Sequence, residues 1–126
     1  MTVSGLDIRD NLVAVARRGF LNDFVEIYDR SGGAFNQIAQ FDSSRLSYIV
    51  DVQFADLRDY ILYVLGGSPN LGSDGDFYAL RHDGDSLTLA AGYKFSGVPG
   101  GLAQTFMMKM ASRNDTIFLA TMAAIY

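Results

Sequence analysis

Alternation of apolar side chains at every second position is the feature that most constrains this chain. In NLVAVARR (11–18), Leu12, Ala14 and Ala16 point one way while Val13 and Val15 point the other. That is the two-residue period of a strand, here one apolar on both faces. The same reading covers DFVEIYDR (23–30), AFNQIAQF (34–41), LSYIVDVQF (46–54), DYILYVLGG (59–67), DFYALRHD (76–83), SLTLAAGYKF (86–95), LAQTFMMKMA (102–111) and TIFLATMAAIY (116–126). With VSGLDIRD (3–10) there are ten candidate strands. Arg-Ser-Gly-Gly, Asp-Gly-Asp-Ser and Arg-Asn-Asp-Thr lie between them, supplying residues that accept positive φ or bond their own backbone. Connections this short predict antiparallel neighbours. LSYIVDVQFADLRDYIL comes nearest to a helical stripe, but its β-branched and aromatic content favours strands.

The strands repeat. LDIRDNLVAV (6–15) aligns with FADLRDYILYV (54–64), placing Arg9-Asp10 over Arg58-Asp59 and Leu12 over Ile61, and KMASRNDTIFLAT (109–121) forms a weaker third copy. Downstream, Asp23-Phe24 aligns with Asp76-Phe77, Ile27 with Leu80, Gly32 with Gly84 and Phe35 with Leu87. The spacing of about 49 to 56 residues gives four strands per period.

Four antiparallel strands per period of roughly 40 to 50 residues is the pattern of a β-propeller blade. VEIYDRSGGAFNQIAQF resembles the third and fourth strands of FG-GAP-type and related bacterial propeller repeats, where an apolar strand meets an Arg-Ser-Gly-Gly turn and then an aromatic. DGDFYALRHDGDSL similarly resembles the Asp-Gly, Tyr-Ala-Leu pattern of quinoprotein-like blades. The Phe-Gly and Gly-Ala-Pro elements and the full acidic calcium loop of the first family are absent, and with no Trp the docking positions of the second cannot exist. The resemblance implies one all-β unit over 1–126: a blade-like repeat at 1–45, a second at 46–101 and a half blade at 102–126. Two and a half blades leave a ring incomplete, so the C-terminal run TIFLATMAAIY is expected to pair with strands from elsewhere. The competing fold is a closed ten-stranded up-and-down barrel holding an apolar ligand among seven Tyr and nine Phe. Strands apolar on both faces, such as YILYVL, favour stacked sheets over that barrel.

Composition narrows the function classes. Thirteen of the fourteen carboxylates are Asp, a residue of turns and caps, and only Glu26 is Glu. A net charge of −4, with no basic run longer than Arg17-Arg18, argues against binding nucleic acid through its phosphates. Absence of cysteine removes disulfide, thiolate-metal and thiol chemistry. MTVSGLDIRDN lacks the basic start and apolar core of a secretory signal, and the 11-residue TIFLATMAAIY is too short for a spanning helix, so no compartment is indicated.

Candidate chemistry is sparse. His82 is the lone histidine and sits beside a turn, which leaves a catalytic dyad or transition-metal site to carboxylates alone. GSDGD offers Asp74 and Asp76 on a Gly-rich bend, with only Asn70 and Ser73 to help, fewer oxygens than calcium requires. Asp83 and Asp85 flank Gly84 in a tight turn; Met107, Met108 and Met110 read as gap-filling core. GVPGG (97–101) lacks the Lys-Ser and the helix of a phosphate loop. The recurring Arg9-Asp10, Arg58-Asp59 and Arg113 with Asp115 mark turn hydrogen bonding or blade-to-blade ion pairing.

The expectation is therefore a non-catalytic binding or scaffold module without cofactor. Its partners are other protein chains, copies of itself or the remainder of a larger propeller, with no nucleic acid and no membrane span. A ligand-carrying barrel and a fragment of a propeller enzyme are the alternatives. In a propeller the loops between strands two and three and those between blades share one rim, where binding sites form. That rim selects Arg17, Arg18, Asn22, Asp23, Arg45, Asn70, Asp74 and Asp76 as binding candidates, with no catalytic or metal residue.

Overall fold

A computed structural model describes residues 2–19, 23–42, 49–56, 60–66, 76–94, 107–114 and 116–121. It contains β1 (Thr2–Arg9), β2 (Leu12–Arg18), β3 (Asp23–Asp29), β4 (Asn36–Asp42), β5 (Ile49–Phe54), β6 (Ile61–Gly66), β7 (Asp76–Asp83), β8 (Ser86–Lys94), β9 (Met107–Arg113) and β10 (Thr116–Thr121). Each falls within or overlaps one alternating segment of the sequence. They form two four-stranded sheets, β1-β2-β3-β4 and β5-β6-β7-β8, and a two-stranded sheet of β9 and β10, every pairing antiparallel. The described strands pair within three separate sheets, so the closed ten-stranded barrel is not the arrangement adopted. Its requirement of one polar face per strand is not met: β2 buries Val13, Ala14, Val15 and Ala16 in succession.

Local chemistry sets the turns. Asp10 and Asn114 open the two-residue connections β1–β2 and β9–β10 at φ 54° and 55°, a region that Asp and Asn tolerate better than other side chains. In the β3–β4 loop, the Ser31 amide donates to Asp29 Oδ1 at 2.8 Å and the Gly33 amide to the Arg30 carbonyl at 3.1 Å, while Gly33 takes φ 82°.

The sheets stack face to face. We call the face a sheet turns toward its predecessor the rear and the opposite one the front. The front of the first sheet (Ala14, Ala16, Val25, Ile27, Ala39) packs on the rear of the second (Val52, Phe54, Leu62, Val64, Tyr78, Leu80, Leu87) in one buried cluster. The front of the second (Leu65, with Val50, Tyr63 and Phe77) packs on the rear of the third (Met110, Leu119, with Ile117). Small Ala side chains on β2 let the first two sheets approach closely. The approach is also close at Gly5 on β1: a Cβ there would lie 3.0 Å from the Val52 nitrogen and 3.1 Å from Asp51 Cα. Each fully buried Leu, Ile or Val of this stack contributes about 1.5–3 kcal/mol.

Register shows that the sheets are repeats. The row Ile8–Val13–Tyr28 of the first sheet takes the place of Phe54–Leu62–Leu80 in the second. The pairs Leu6–Val15 and Arg9–Leu12 take the places of Met110–Leu119 and Arg113–Thr116 in the third. Both outer strands carry an irregularity at the corresponding level, between Ile27 and Tyr28 and between Ala79 and Leu80. The similarity of Asp23-Phe24 to Asp76-Phe77 is thus one residue out of step. Phe24 pairs with Arg17 on the rear side, whereas Phe77 pairs with Leu65 on the front. A one-residue slip exchanges the two faces of a strand.

Candidate functional site

The rim candidates that lie within the described residues divide between holding the stack and shaping its free face. Arg18 and Asp23, cross-strand partners at the ends of β2 and β3, clasp the first residue of β5. Arg18 Nε donates to the Ile49 carbonyl at 3.0 Å, and the Ile49 amide donates to Asp23 Oδ2 at 2.8 Å, with Asp23 buried. Arg17, one residue along the strand, points to the opposite face and ion-pairs through Nε with Glu26 Oε1. This bond strengthens the guanidinium's hold on its proton. Asp76 begins β7. Asn22, Arg45, Asn70 and Asp74 lie outside the described residues.

Further clamps join successive sheets along their first strands and the turns that follow them. Asp7 Oδ2 accepts the Phe54 amide at 2.7 Å, Asp51 Oδ2 accepts the Met110 amide at 2.9 Å, and Asp56 Oδ2 accepts the Asn114 amide at 2.8 Å. Each carboxylate satisfies a backbone donor of the next sheet, and Asp51 does so in the buried interior, where an unpaired amide is costly. Arg9 donates to the Ala55 and Asp56 carbonyls, so the recurring Arg-Asp position bridges sheets through backbone carbonyls in its first copy. Arg58, Asp59 and Asp115 lie outside the described residues, as do GVPGG and most of GSDGD. His82 Nε2 lies 2.7 Å from the Gly84 carbonyl, inside its own turn. Met110 is buried in the core of the third sheet's contact.

Two concavities accompany these contacts. A polar cleft of about 200 Å³, lined by Asp7, Arg9, Gln53, Asp56 and Ser112 among others, opens beside the β1–β2 turn. Gln53 Oε1 and Ser112 Oγ, buried at its wall, make no hydrogen bond. An apolar groove of about 230 Å³ runs over the rear of the first sheet between Leu6, Val13, Val15, Arg17, Tyr28 and Phe35. Val13 and Val15 form its buried floor, while Leu6, Ile8 and Phe35 are 56%, 50% and 66% exposed. Glu26 is buried in the middle of this face, held by Arg17 and by the Tyr28 hydroxyl, which donates to Oε2 at 2.9 Å.

Register makes the exposure of this face informative. Leu6, Ile8, Val13, Tyr28 and Phe35 occupy the positions of Val52, Phe54, Leu62, Leu80 and Leu87 in the second sheet, which lie between 0% and 6% exposed beneath the first. At the far end of the stack, Phe118 is 50% exposed on the front of the third sheet. Leu6, Ile8 and Phe35 were not among the binding residues expected from the sequence, because alternation assigns residues to faces without saying which face another sheet covers. Among the described residues no three His, Cys, Asp or Glu side chains stand close enough to hold a metal ion. No helix among them is long and apolar enough to cross a membrane. Neither protein-family models nor curated protein sequences provide a match to this chain.

Proposed function

We propose that this protein is a non-catalytic binding or scaffold module of propeller-like blades that engages other protein chains through the rear face of its first sheet. One observation carries the reading: the chain builds a rear-face interface twice, on its second and third sheets, and leaves the register-equivalent face of its first sheet exposed. Leu6 and Phe35 stand around a groove floored by the buried Val13 and Val15, with the exposed Ile8 on the same face, a surface suited to another sheet. The central Glu26 is neutralised by Arg17, so covering it would bury a paired charge. Its small volume and wide mouth suit a flat protein surface better than an enclosed small molecule, which ordinarily fills a pocket of about 300–1,000 Å³.

The test is a photo-crosslinking amino acid placed at Leu6 and, as a control, at the exposed Thr88 on β8. Irradiation in the cells of origin is expected to give protein adducts of discrete mass from position 6 and not from position 88. Adducts to lipid or small molecules alone, or equal yields at the two positions, would count against a protein-binding face.

A further inference from the structure

Resting on the protein-binding reading, we infer that the partner seated on the rear face of the first sheet is the front face of the third sheet of a second copy, so that copies associate head to tail. In both contacts between the described sheets the register-equivalent face is the one covered: Val52 in the second sheet and Met110 in the third stand at the level of Leu6 in the first. The first sheet's free face is a rear, and the third sheet's free face is a front, carrying Phe118, Ala111 and Lys109. By register Phe118 stands where Ala14 stands on the first sheet, and Ala14 is fully buried against the second sheet. The chain therefore displays both halves of an interface that it already forms internally, which is the condition for heterologous association.

The half-interfaces also differ from the internal ones in a way that sets the strength. Lys109 occupies the register of Gly5, where β1 lies too close to β5 to admit a Cβ without a shift. Lys109 turns its Nζ back to within 3.7 Å of Asp51 Oδ2, but a side chain at this level still leaves less room between the first strands of two copies than Gly5 leaves within one. This difference favours reversible exchange between copies over a permanent assembly.

The polarity permits a complementation experiment. Leu6→Asp places a charge on the rear face and leaves the front intact; Phe118→Asp does the reverse. Both side chains are at least half exposed, so the folded chain is expected to tolerate either change, which circular dichroism and urea unfolding check. Light scattering of the wild-type chain at about 100 μM should give masses above the 13.8 kDa of one copy. Each variant alone should be weakened by about 100-fold or more, since an unpaired charge is then buried, and should run as a monomer. An equimolar mixture of the two variants should recover a species of twice the chain mass and no larger, because only one intact rear then meets one intact front.

A monomeric wild type at that concentration overturns the inference, while the crosslinking experiment still decides whether the rear face binds some other protein. Association of Phe118→Asp alone would mean that two rears meet, and association of Leu6→Asp alone that other surfaces meet; either result overturns the head-to-tail arrangement. Should a variant fail to fold, Ile8→Asp and Ala111→Asp make the same test on the same two faces.

Discussion

Replacing Asp51 by Ala probes the carboxylate clamp between the second and third sheets. Asp51 is buried; its Oδ2 accepts the Met110 amide at 2.9 Å and its Oδ1 accepts the Val52 amide at 3.0 Å. Truncation orphans the interior donor of Met110, at about 1–3 kcal/mol, and relief of the carboxylate's own desolvation offsets part of that. Lys109 Nζ lies 3.7 Å from Oδ2 but is three-quarters exposed, so the ion pair adds at most about 1 kcal/mol. The net expectation is a loss of about 2 kcal/mol, or a fall of about 1 M in the urea midpoint. Unfolding is measured at high dilution, where association does not add to stability. Asp51→Asn keeps one acceptor and confronts the other amide with a donor, so it should fall between wild type and Ala. Lys109→Ala should stay within about 1 kcal/mol of wild type and lose its effect in high salt. A loss below about 0.5 kcal/mol for Asp51→Ala would refute the clamp, and a loss for Lys109→Ala equal to that of Asp51→Ala would assign the effect to the ion pair instead.

Gly5→Ala should destabilise by about 1–3 kcal/mol in the same assay, because the added Cβ meets backbone atoms of Asp51 and Val52 that cannot rotate away; a neutral result would mean the two first strands are further apart than described. Leu87→Ala, in the covered interface, should cost about 2–4 kcal/mol, while Phe35→Ala at the equivalent exposed position should stay within about 0.5 kcal/mol at dilution; equal losses would contradict the difference in cover. The Asp29 carboxyl titrates below its usual range because the Ser31 amide bonds its charged form. A depressed folded-state pKa contributes stability that is present above the unfolded value and is lost as pH falls through the folded one, so Asp29→Asn should flatten the acid end of the stability profile, and a proton titration of Asp29 at or above the ordinary aspartate range would exclude the bond.

The strands were legible because their signals are local. Alternation in NLVAVARR and DFYALRHD, with Asp, Asn and Gly at the turns, locates β2 and β7 without reference to the rest of the molecule. Repeat register was legible only in part. Leu12 over Ile61 and Phe35 over Leu87 agree with the strand pairing, but the matching Asp-Phe dipeptides do not, since a residue's face is set by its cross-strand partner and not by its chemical type. Arg17 and Arg18 read as one basic pair on a rim. As successive residues of a strand they part, one toward Glu26 on the free face and the other toward Ile49 in the stack. The exposed rear face was not legible at all, because nothing in Leu6 or Ile8 distinguishes them from Val52 or Phe54 until the direction of stacking is known.

Solvent accessibility of methyl groups, read by NMR with a soluble nitroxide, tests the stack and its open face in one measurement. Val52, Leu62 and Leu80 should resist broadening at every protein concentration, whereas Leu6 and Ile8 should broaden strongly at dilution and become protected as copies associate. Broadening of Leu62 and Leu80 to the level of Leu6 would contradict the stacked arrangement, and broadening of Leu6 and Ile8 that does not change with concentration would contradict the assignment of that face to a second copy.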